Sequence, residues 1–406
     1  MDYEAYQLAN GIRVVHHRVP NVIAHVGLII NAGSRDETEH EHGVAHFIEH
    51  MVFKGTRKRK AYHIISRLED VGGEINAYTT KEETCVYASF LKEDYSRALE
   101  LLKDIIFDST FPEKEIKREK EVIIDEINSY LDNPGELIFD DFEDLIYNGE
   151  SLGRNILGTP QSLGGISRKD ILNFISGAYN TDEMVLCSVG DIPSGRLKKS
   201  VEKYFGDIPE NHRKLKRKPL GEYKSSQITS QKGTFQAHCI IGSTGYDLKH
   251  ERRIGLHLLN NILGGPGLNT RLNMSLRERN GYSYHTESHF SPYSDTGIIS
   301  VYFSSDKNKL ERSRKVVARE FARLRDIKLG TLQLHRAKRQ LLGQIAISSE
   351  NNETLMLSMA KSYLVYNKVD GLDEIGKKIE AISSEEILEI ANEILDERKL
   401  SSLTYI

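Results

Sequence analysis

Two histidines four residues apart, with a glutamate between them, are the residues of this 406-residue chain most suited to chemistry. They lie in the segment HFIEH, as His46, Glu49 and His50. Side chains four apart on a helix share one face, so both imidazoles can hold the same metal ion. Glu49 then reaches the open side of that ion, where a water molecule would bind. Two nitrogen ligands beside a base predict the centre of a zinc hydrolase.

The residues around this motif favour a metal site over ordinary core histidines. In the segment GVAHFIEHMVF, residues 43–53, the polar side chains are His46, Glu49 and His50. A helix that is apolar on all sides is buried, and buried imidazoles and carboxylates need strong partners. A metal ion supplies such a partner. The alternative is a pair of core histidines whose hydrogen bonds are satisfied by protein groups.

A third ligand is required, and a helix predicted after Phe111 offers one. Glu119 and Glu126 are two helical turns apart, so both project from one face. The rest of that face is mainly apolar, with Ile116, Ile123, Ile127 and Tyr130. A carboxylate on a buried face is usually neutralised by a cation or a metal. Charged neighbours leave open the alternative of a solvated helix edge, and periodicity does not decide between the two.

HFIEH, followed 76 residues after His50 by the glutamate of EVIIDEI, resembles the M16 (pitrilysin) family of inverted-motif zinc peptidases. The resemblance implies a zinc metalloendopeptidase with one Zn2+ per chain. It assigns His46, His50 and Glu126 as the zinc ligands and Glu49 as the general base. It also assigns Glu119 as a catalytic residue that supports the site from behind the ligands. None of these positions departs from the family pattern, so an active metal centre is expected.

The resemblance extends over nearly the whole chain. GGEINAYTTKEET is similar to the family's strand that pairs with the peptide substrate, which places Asn76 and Ala77 against an extended chain. RERNGYSY is similar to an arginine and tyrosine pair that contacts the substrate at the cleavage site, here Arg277 and Tyr284. Without the resemblance, Arg277 would be a surface charge and Tyr284 a strand residue packed on its neighbours.

Composition limits the classes of protein and partner. The length predicts two or three domains, and a hydrophobic content of 39% is enough for real cores. The net charge is −4, so neither nucleic acid nor an anionic membrane is expected as a partner. No apolar run approaches the roughly 20 residues that a membrane span needs.

The N-terminus and the cysteines bear on the cellular compartment. The chain starts acidic and passes directly into strand-like alternation, so no signal or transit peptide is expected. Cys85, Cys187 and Cys239 stand singly in apolar, strand-like runs. They are predicted to be buried thiols, not a disulfide framework or a metal cluster. We therefore expect a cytoplasmic protein.

An internal repeat indicates two copies of one α+β module. HFIEH aligns with HLLNN at 257–261, and AHVGLIINAG is similar to the later segment AHCIIGSTG. In each half strand alternation passes into a helical pattern, which predicts an α+β unit of about 200 residues. In the second copy Asn260 and Asn261 replace Glu49 and His50, and asparagine is a poor zinc ligand. That copy is therefore expected to keep the fold without the metal.

A polar and basic segment, PENHRKLKRKPLGEYKSS, marks the boundary between the two copies. We predict an N-terminal module at 1–208 with the zinc site, a linker at 209–226, and a C-terminal module at 227–406. The C-terminal module carries the arginine and tyrosine pair. The basic run within the linker, 213–218, is predicted to be a solvated hinge, with a partner-binding patch as the alternative.

The family's fold, a LuxS/MPP-like metallohydrolase fold, implies the mode of assembly. Four such modules form a clamshell chamber, so one chain supplies half of it. A homodimer, or a heterodimer with a related subunit, would complete the chamber and admit peptides or unfolded segments. Arg277 and Tyr284 would then serve the zinc of the opposite subunit. Two other functions remain open: a non-catalytic structural subunit, and a specific processing peptidase that acts with a partner chain.

Overall fold

Apolar and β-branched runs form the strands of this protein, and turns rich in glycine and charged residues separate them. The computed structural model describes residues 2–406. In chain order the strands are β1 (Glu4–Gln7), β2 (Arg13–His17), β3 (Ile23–Ile30), β4 (Glu74–Thr79), β5 (Thr84–Leu91), β6 (Met184–Val189), β7 (Gln227–Ser230), β8 (Ala237–Gly245), β9 (Thr286–Pro292), β10 (Gly297–Ser305) and β11 (Ser401–Tyr405).

Amphipathic segments form the helices that cover the sheets. In chain order they are α1 (Val44–Met51), α2 (Ala61–Glu69), α3 (Tyr95–Phe107), α4 (Glu113–Leu131), α5 (Pro134–Tyr147), α6 (Pro160–Gly165), α7 (Arg168–Ala178), α8 (Ser194–Phe205), α9 (Arg253–Gly264), α10 (Leu310–Asp326), α11 (Thr331–Ser349), α12 (Asn352–Tyr366), α13 (Leu372–Ala381) and α14 (Ser384–Ile394).

Five strands of the first sheet follow the same topology as the five strands of the second. The first has the strand order β1-β2-β6-β3-β5-β4, and the second has the order β7-β11-β8-β10-β9. In each, the pair formed by β2 and β6, or by β7 and β11, is parallel, and every other pairing is antiparallel. Omitting β1, one order maps onto the other strand by strand. The predicted α+β class is confirmed, and the shared topology agrees with an internal duplication.

The chain divides into two compact units, and each unit contains segments from both halves of the sequence. The first contains Met1–Ile127, Ile156–Lys218 and Ile347–Gly371. The second contains Asn128–Asn155, Pro219–Ala346 and Leu372–Ile406. The predicted modules, 1–208 and 227–406, treat each half as continuous chain. The observed units differ from them because α5 belongs to the second unit, α12 belongs to the first, and the linker is divided after Lys218.

Apolar faces explain why α12 belongs to the first unit and α5 to the second. On α12, Met356 and Met359 are buried against strands of the first sheet. Gly27 of β3 lets this helix approach closely, because a Cβ atom there would lie 3.0 Å from the Met356 sulfur. On α5, Ile138 and Phe142 are buried against strands of the second sheet. A sequence pattern identifies such faces but does not identify the sheet that covers them.

The structure also bears on the cysteines and on helices that could span a membrane. Cys85, Cys187 and Cys239 are all free thiols with buried side chains. Within residues 2–406, no helix is long and apolar enough to cross a membrane.

Candidate metal centre

The helix that carries HFIEH begins after a glycine in a left-handed conformation and is capped by a carboxylate from the preceding turn. Gly43, which precedes α1, has a φ of 93°, in the left-handed region that favours glycine. The Glu37 carboxylate accepts hydrogen bonds from the Gly43 and Ala45 amides, at 2.9 and 2.8 Å. A negative charge at a helix N-terminus satisfies free amides and interacts favourably with the helix dipole. These contacts fix where α1 starts.

Three predicted ligands converge between α1 and α4. Ligand atoms of His46, His50 and Glu126 all lie within 4.8 Å of one another. Glu126 Oε2 is 3.9 Å from His46 Nε2 and 3.6 Å from His50 Nε2. The Glu126 side chain is 39% exposed, so the group is reachable from solvent. The structure therefore brings the three residues into one partly open site.

The protonation states of His46 and Glu126 suit metal binding. Burial, together with the neighbouring His50, lowers the pKa of His46 to about 4, while Glu126 opposes the shift. His46 is thus a neutral imidazole at pH 7, with a lone pair free for a cation. Hydrogen bonding to His50 lowers the pKa of Glu126, and burial opposes this. Two imidazole nitrogens and one ionised carboxylate form a donor set that fits Zn2+.

Glu119 lies behind the ligands and contacts one of them. Its Oε2 is 3.3 Å from Nδ1 of His50, the ring nitrogen that faces away from Glu126. Burial would lower the pKa of His50, but the hydrogen bonds with Glu126 and Glu119 outweigh it and the pKa is raised. A carboxylate on the second nitrogen of a ligating histidine fixes the ring orientation and its basicity. Glu119 therefore contacts His50 from the side opposite Glu126, and its supporting role remains a prediction.

Lys54 completes this arrangement and was missed by the sequence reasoning. Its Nζ lies 2.7 Å from Oε1 of Glu119, so the carboxylate is held at both oxygens. The Glu119 side chain is only 7% exposed, and the ammonium group neutralises its buried charge. Lys54 lies in the bend beyond the end of α1 at Met51, so helical spacing does not place it beside the ligands. Its partner, Glu119, is distant in sequence, so no local pattern identifies the pair.

Glu49 lies on the same helix as the two histidines and interacts electrostatically with His50 and Glu126. Burial raises the pKa of Glu49, and the nearby hydroxyl and amide of Thr79 oppose the rise. Thr79 is the last residue of β4, and α1 packs against this strand. A raised pKa suits a carboxyl group that must accept a proton and then release it near neutral pH. The sequence reasoning identified Glu49 but not the contribution of Thr79.

The strand beside this site is a sheet edge. β4 stands at the end of the first sheet and pairs there with β5. Asn76 and Ala77 lie opposite Tyr87 and Val86 in that pairing, and the Asn76 side chain is exposed. In the described part of the chain no strand pairs with the other side of β4. Such an edge can add an extended peptide as a further strand.

Arg277 and Tyr284 are close to each other within the second unit. Arg277 lies in a short π-helical segment, Asn273–Glu278, and its guanidinium carbon is 5.0 Å from the centre of the Tyr284 ring. Tyr284 is 79% exposed and precedes β9. It is therefore not the packed strand residue expected without the family resemblance. The exposed pair is available to a ligand, and its role toward substrate remains a prediction.

The corresponding helix of the second unit lacks a comparable group. On α9, the Asn260 side chain exchanges hydrogen bonds with Ser288, whose hydroxyl donates to Asn260 Oδ1 at 2.5 Å. His257, the counterpart of His46, packs against the ring of Phe290, and burial lowers its pKa to about 4. Among residues 2–406, only His46, His50 and Glu126 form a set of three or more histidine, cysteine or carboxylate ligands.

Sequence comparison places both halves of the chain in one family. Residues 13–160 match the family model described as Insulinase (Peptidase family M16), and residues 165–341 match the Peptidase M16 inactive domain. A Bacillus subtilis (strain 168) protein named zinc protease YmxG is 34% identical over 97% of this chain and 95% of its own length. The mitochondrial-processing peptidase subunit beta of Bos taurus is 30% identical over 96% of this chain and 81% of its own length.

Solved structures show the same fold. A protease from Helicobacter pylori superposes with a TM-score of 0.92 at 21% identity, covering 100% of this chain and 99% of the other. A peptidase M16 inactive domain from Pseudomonas fluorescens gives a TM-score of 0.92 at 21% identity, covering 100% of this chain and 98% of the other. Both likenesses extend over the full chain.

Proposed function

This chain belongs to the M16 (insulinase) peptidase family, and from that membership we propose that it is a zinc-dependent endopeptidase acting on peptides and unfolded polypeptide segments. One observation carries the proposal: His46, His50 and Glu126 converge on one point, with Glu49 beside them on the same helix. Relatives named zinc proteases support peptidase activity at the level of the family.

The proposed roles follow from the atoms that each residue presents. His46, His50 and Glu126 would hold the ion, which supplies Lewis acidity and lowers the pKa of water towards about 7. Glu49 takes the proton from the attacking water and delivers it to the leaving amine. Its burial-raised pKa serves both transfers. Glu119 keeps His50 oriented throughout, because it binds the ring nitrogen that faces away from Glu126.

Substrate binding is proposed to combine a strand edge with an exposed side-chain pair. The peptide would pair with β4 beside Asn76 and Ala77, which gives affinity through main-chain hydrogen bonds and demands little of the peptide sequence. Arg277 and Tyr284 would donate hydrogen bonds near the scissile carbonyl. Following the family arrangement, two chains would enclose a chamber as a homodimer, and the pair would act on the site of the opposite chain.

Glu49→Gln tests this function most simply. The variant is expected to bind zinc normally and to lose peptide cleavage by roughly 100- to 10,000-fold, because glutamine cannot exchange the proton. Glu39→Gln, at an exposed residue in the turn before α1, is the matched control and should cleave normally. Incubation with a mixed peptide library, with and without a zinc chelator, measures cleavage and metal dependence together. Normal cleavage by Glu49→Gln would exclude this mechanism.

A second candidate is a processing peptidase subunit that works with a different partner chain. The similarity to the mitochondrial-processing peptidase subunit beta favours it. Cleavage of mixed peptides by the chain alone would argue against a required partner, whereas activity that appears only with a second protein would support it. The cytoplasmic location predicted from the sequence stays a prediction.

A further inference from the structure

Two arginines of the predicted hinge are bound to the first unit instead of being solvated. The Arg213 and Arg217 side chains are only 12% and 11% exposed, and both reach the fully buried carboxylate of Asp36. Arg213 Nη2 donates to Asp36 Oδ1 at 2.8 Å. Arg217 donates from Nε to Oδ1 at 3.0 Å and from Nη2 to Oδ2 at 2.9 Å. A two-pronged arginine–carboxylate pair of this kind fixes orientation as well as charge.

Asp36 lies in the turn that leads into the metal-binding helix. Its Oδ2 also accepts a hydrogen bond from the Gly33 amide at 3.1 Å, which closes the turn. The next residue, Glu37, is the carboxylate that holds the amides of Gly43 and Ala45 at the start of α1. The arginines therefore act on the residue adjacent to the cap of the helix that bears His46.

Arg217 also binds the turn between β4 and β5. Its Nη2 donates to the main-chain oxygen of Glu82 at 2.9 Å, and its Nη1 lies 3.5 Å from the Glu82 carboxylate. Arg35, next to Asp36, binds the same carboxylate at 2.6 Å. Main-chain bonds join the two turns as well, since the Arg35 amide donates to Lys81 O at 2.7 Å. One linker side chain thus contacts both the turn before α1 and the turn after β4.

Gly33 marks how closely these two turns pack. A Cβ atom at this position would lie 2.3 Å from the Thr80 carbonyl oxygen and 2.6 Å from that of Lys81. Two turns at such close approach cannot move independently without breaking their contacts. Helix α1, which follows the first turn, carries His46 and Glu49, and strand β4, which precedes the second turn, carries Asn76. The position of the linker arginines is therefore coupled to both walls of the candidate site.

We propose that Arg217, assisted by Arg213, is a positioning residue that holds the metal-binding helix in register with edge strand β4. Arg213, Arg217, Asp36 and Glu82 form what we call the linker cluster. The chain leaves this cluster at Lys218 and enters the second unit at Pro219, so the connection between the units begins at the support of the site. The part of the proposal that concerns catalysis rests on the proposed function, whereas the coupling of the two turns does not.

Substituting Arg217 with a neutral residue should increase the mobility of the site without changing any residue of the site itself. Arg217→Gln removes the four contacts to Asp36 and Glu82 and leaves the Asp36 carboxylate with a single arginine. The cap at Glu37 and the turn at 80–83 then lose a common anchor. We expect hydrogen exchange of the amides at 43–45 and 80–83 to accelerate, and zinc affinity to fall roughly 10-fold, as for other groups that orient metal ligands indirectly.

The linker supplies its own controls. Lys214 and Lys216 lie beside the two arginines in sequence, and their side chains are exposed. Lys216→Gln removes the same charge from the same segment and should change neither amide exchange nor zinc affinity. Arg217→Lys keeps the charge but cannot form the two-pronged contact, so it should fall between the wild type and Arg217→Gln. If Arg217→Gln does not fold, Arg217→Lys and Arg213→Gln serve for the same measurements.

Amide exchange, zinc affinity by chelator competition and peptide cleavage together decide the proposal. Faster exchange in both turns with weaker zinc binding, absent from Lys216→Gln, supports it, and Arg217→Lys should then recover part of both. Unchanged exchange at 43–45 and 80–83 in a folded Arg217→Gln overturns it. If exchange and zinc affinity respond while even the wild type cleaves no peptide, the positioning role stands and the proposed function fails.

Discussion

Glu119→Gln is expected to weaken zinc binding while preserving the shape of the site. Glutamine occupies the same volume but carries no charge, so the His50 ring loses its carboxylate partner at 3.3 Å. Lys54, 2.7 Å from the other oxygen, loses its counter-ion in a location where the Glu119 side chain is 7% exposed. The substitution therefore removes ligand orientation and leaves a charge that only partial exposure to water can compensate.

The loss of zinc affinity in Glu119→Gln can be predicted to within a factor of ten. Loss of a partner that orients a metal ligand typically costs 10- to 100-fold in metal affinity, or about 1.4–2.7 kcal/mol. The Lys54 side chain is 31% exposed and can rehydrate, which favours the lower part of that range. Competition with a chromogenic chelator at several pH values measures the zinc dissociation constant directly, without any need for a substrate.

Two further variants separate orientation from general destabilisation. Glu121→Gln, on the exposed side of the same helix, is the matched control and should leave zinc affinity unchanged. Lys54→Met should weaken zinc binding less than Glu119→Gln does, and the double variant should add little, because both act through one carboxylate. Zinc affinity within twofold of the wild type for Glu119→Gln would refute the supporting role of this residue.

Three other expectations concern assembly, acid stability and packing. Mixing inactive Glu49→Gln with inactive Arg277→Ala/Tyr284→Phe should restore peptide cleavage through one hybrid site, and no rescue in a verified heterodimer would place the pair in the same chain as its zinc. Because burial lowers the pKa of His257 from 6.5 to about 4, stability is fully present above pH 6.5 and is lost as the pH falls towards 4. Between pH 7 and pH 5, the free energy of unfolding measured in urea should therefore fall by about 2 kcal/mol less for His257→Leu than for the wild type. An equal fall in both proteins would contradict the lowered pKa of His257. Met356→Ala should lower the free energy of unfolding by about 2–5 kcal/mol, because the side chain is fully buried against the first sheet, and a loss below 1 kcal/mol would mean that α12 contributes little there.

The residues of the candidate site could be proposed from the sequence because the patterns that mark them are local. The spacing of His46 and His50 fixes a common helical face, and the spacing of Glu119 and Glu126 does the same on α4. The structure brings these faces together, which periodicity could not establish. It also decides against a solvated edge for Glu119, whose side chain is buried. The α+β class was predictable for the same reason, since strand alternation and helical periods are properties of short windows.

The supports of the site were not predictable, because they depend on contacts between distant segments. The sequence shows Arg213 and Arg217 only as members of a basic run, and a solvated hinge was the natural interpretation. Their partner, Asp36, lies far earlier in the chain and carries no signal of its own. The placement of α5 and α12 could not be predicted for the same reason, because an apolar face does not indicate which sheet will bury it.

Zinc content of the purified chain, compared with that of Glu126→Gln, tests the central claim most directly. Glu126 comes from α4 and the two histidines come from α1, so the site exists only if the fold brings these helices together. Elemental analysis should find one zinc ion per folded wild-type chain and a large loss of zinc in folded Glu126→Gln. A wild-type chain that takes up no zinc, or a variant that retains it fully, would contradict the account.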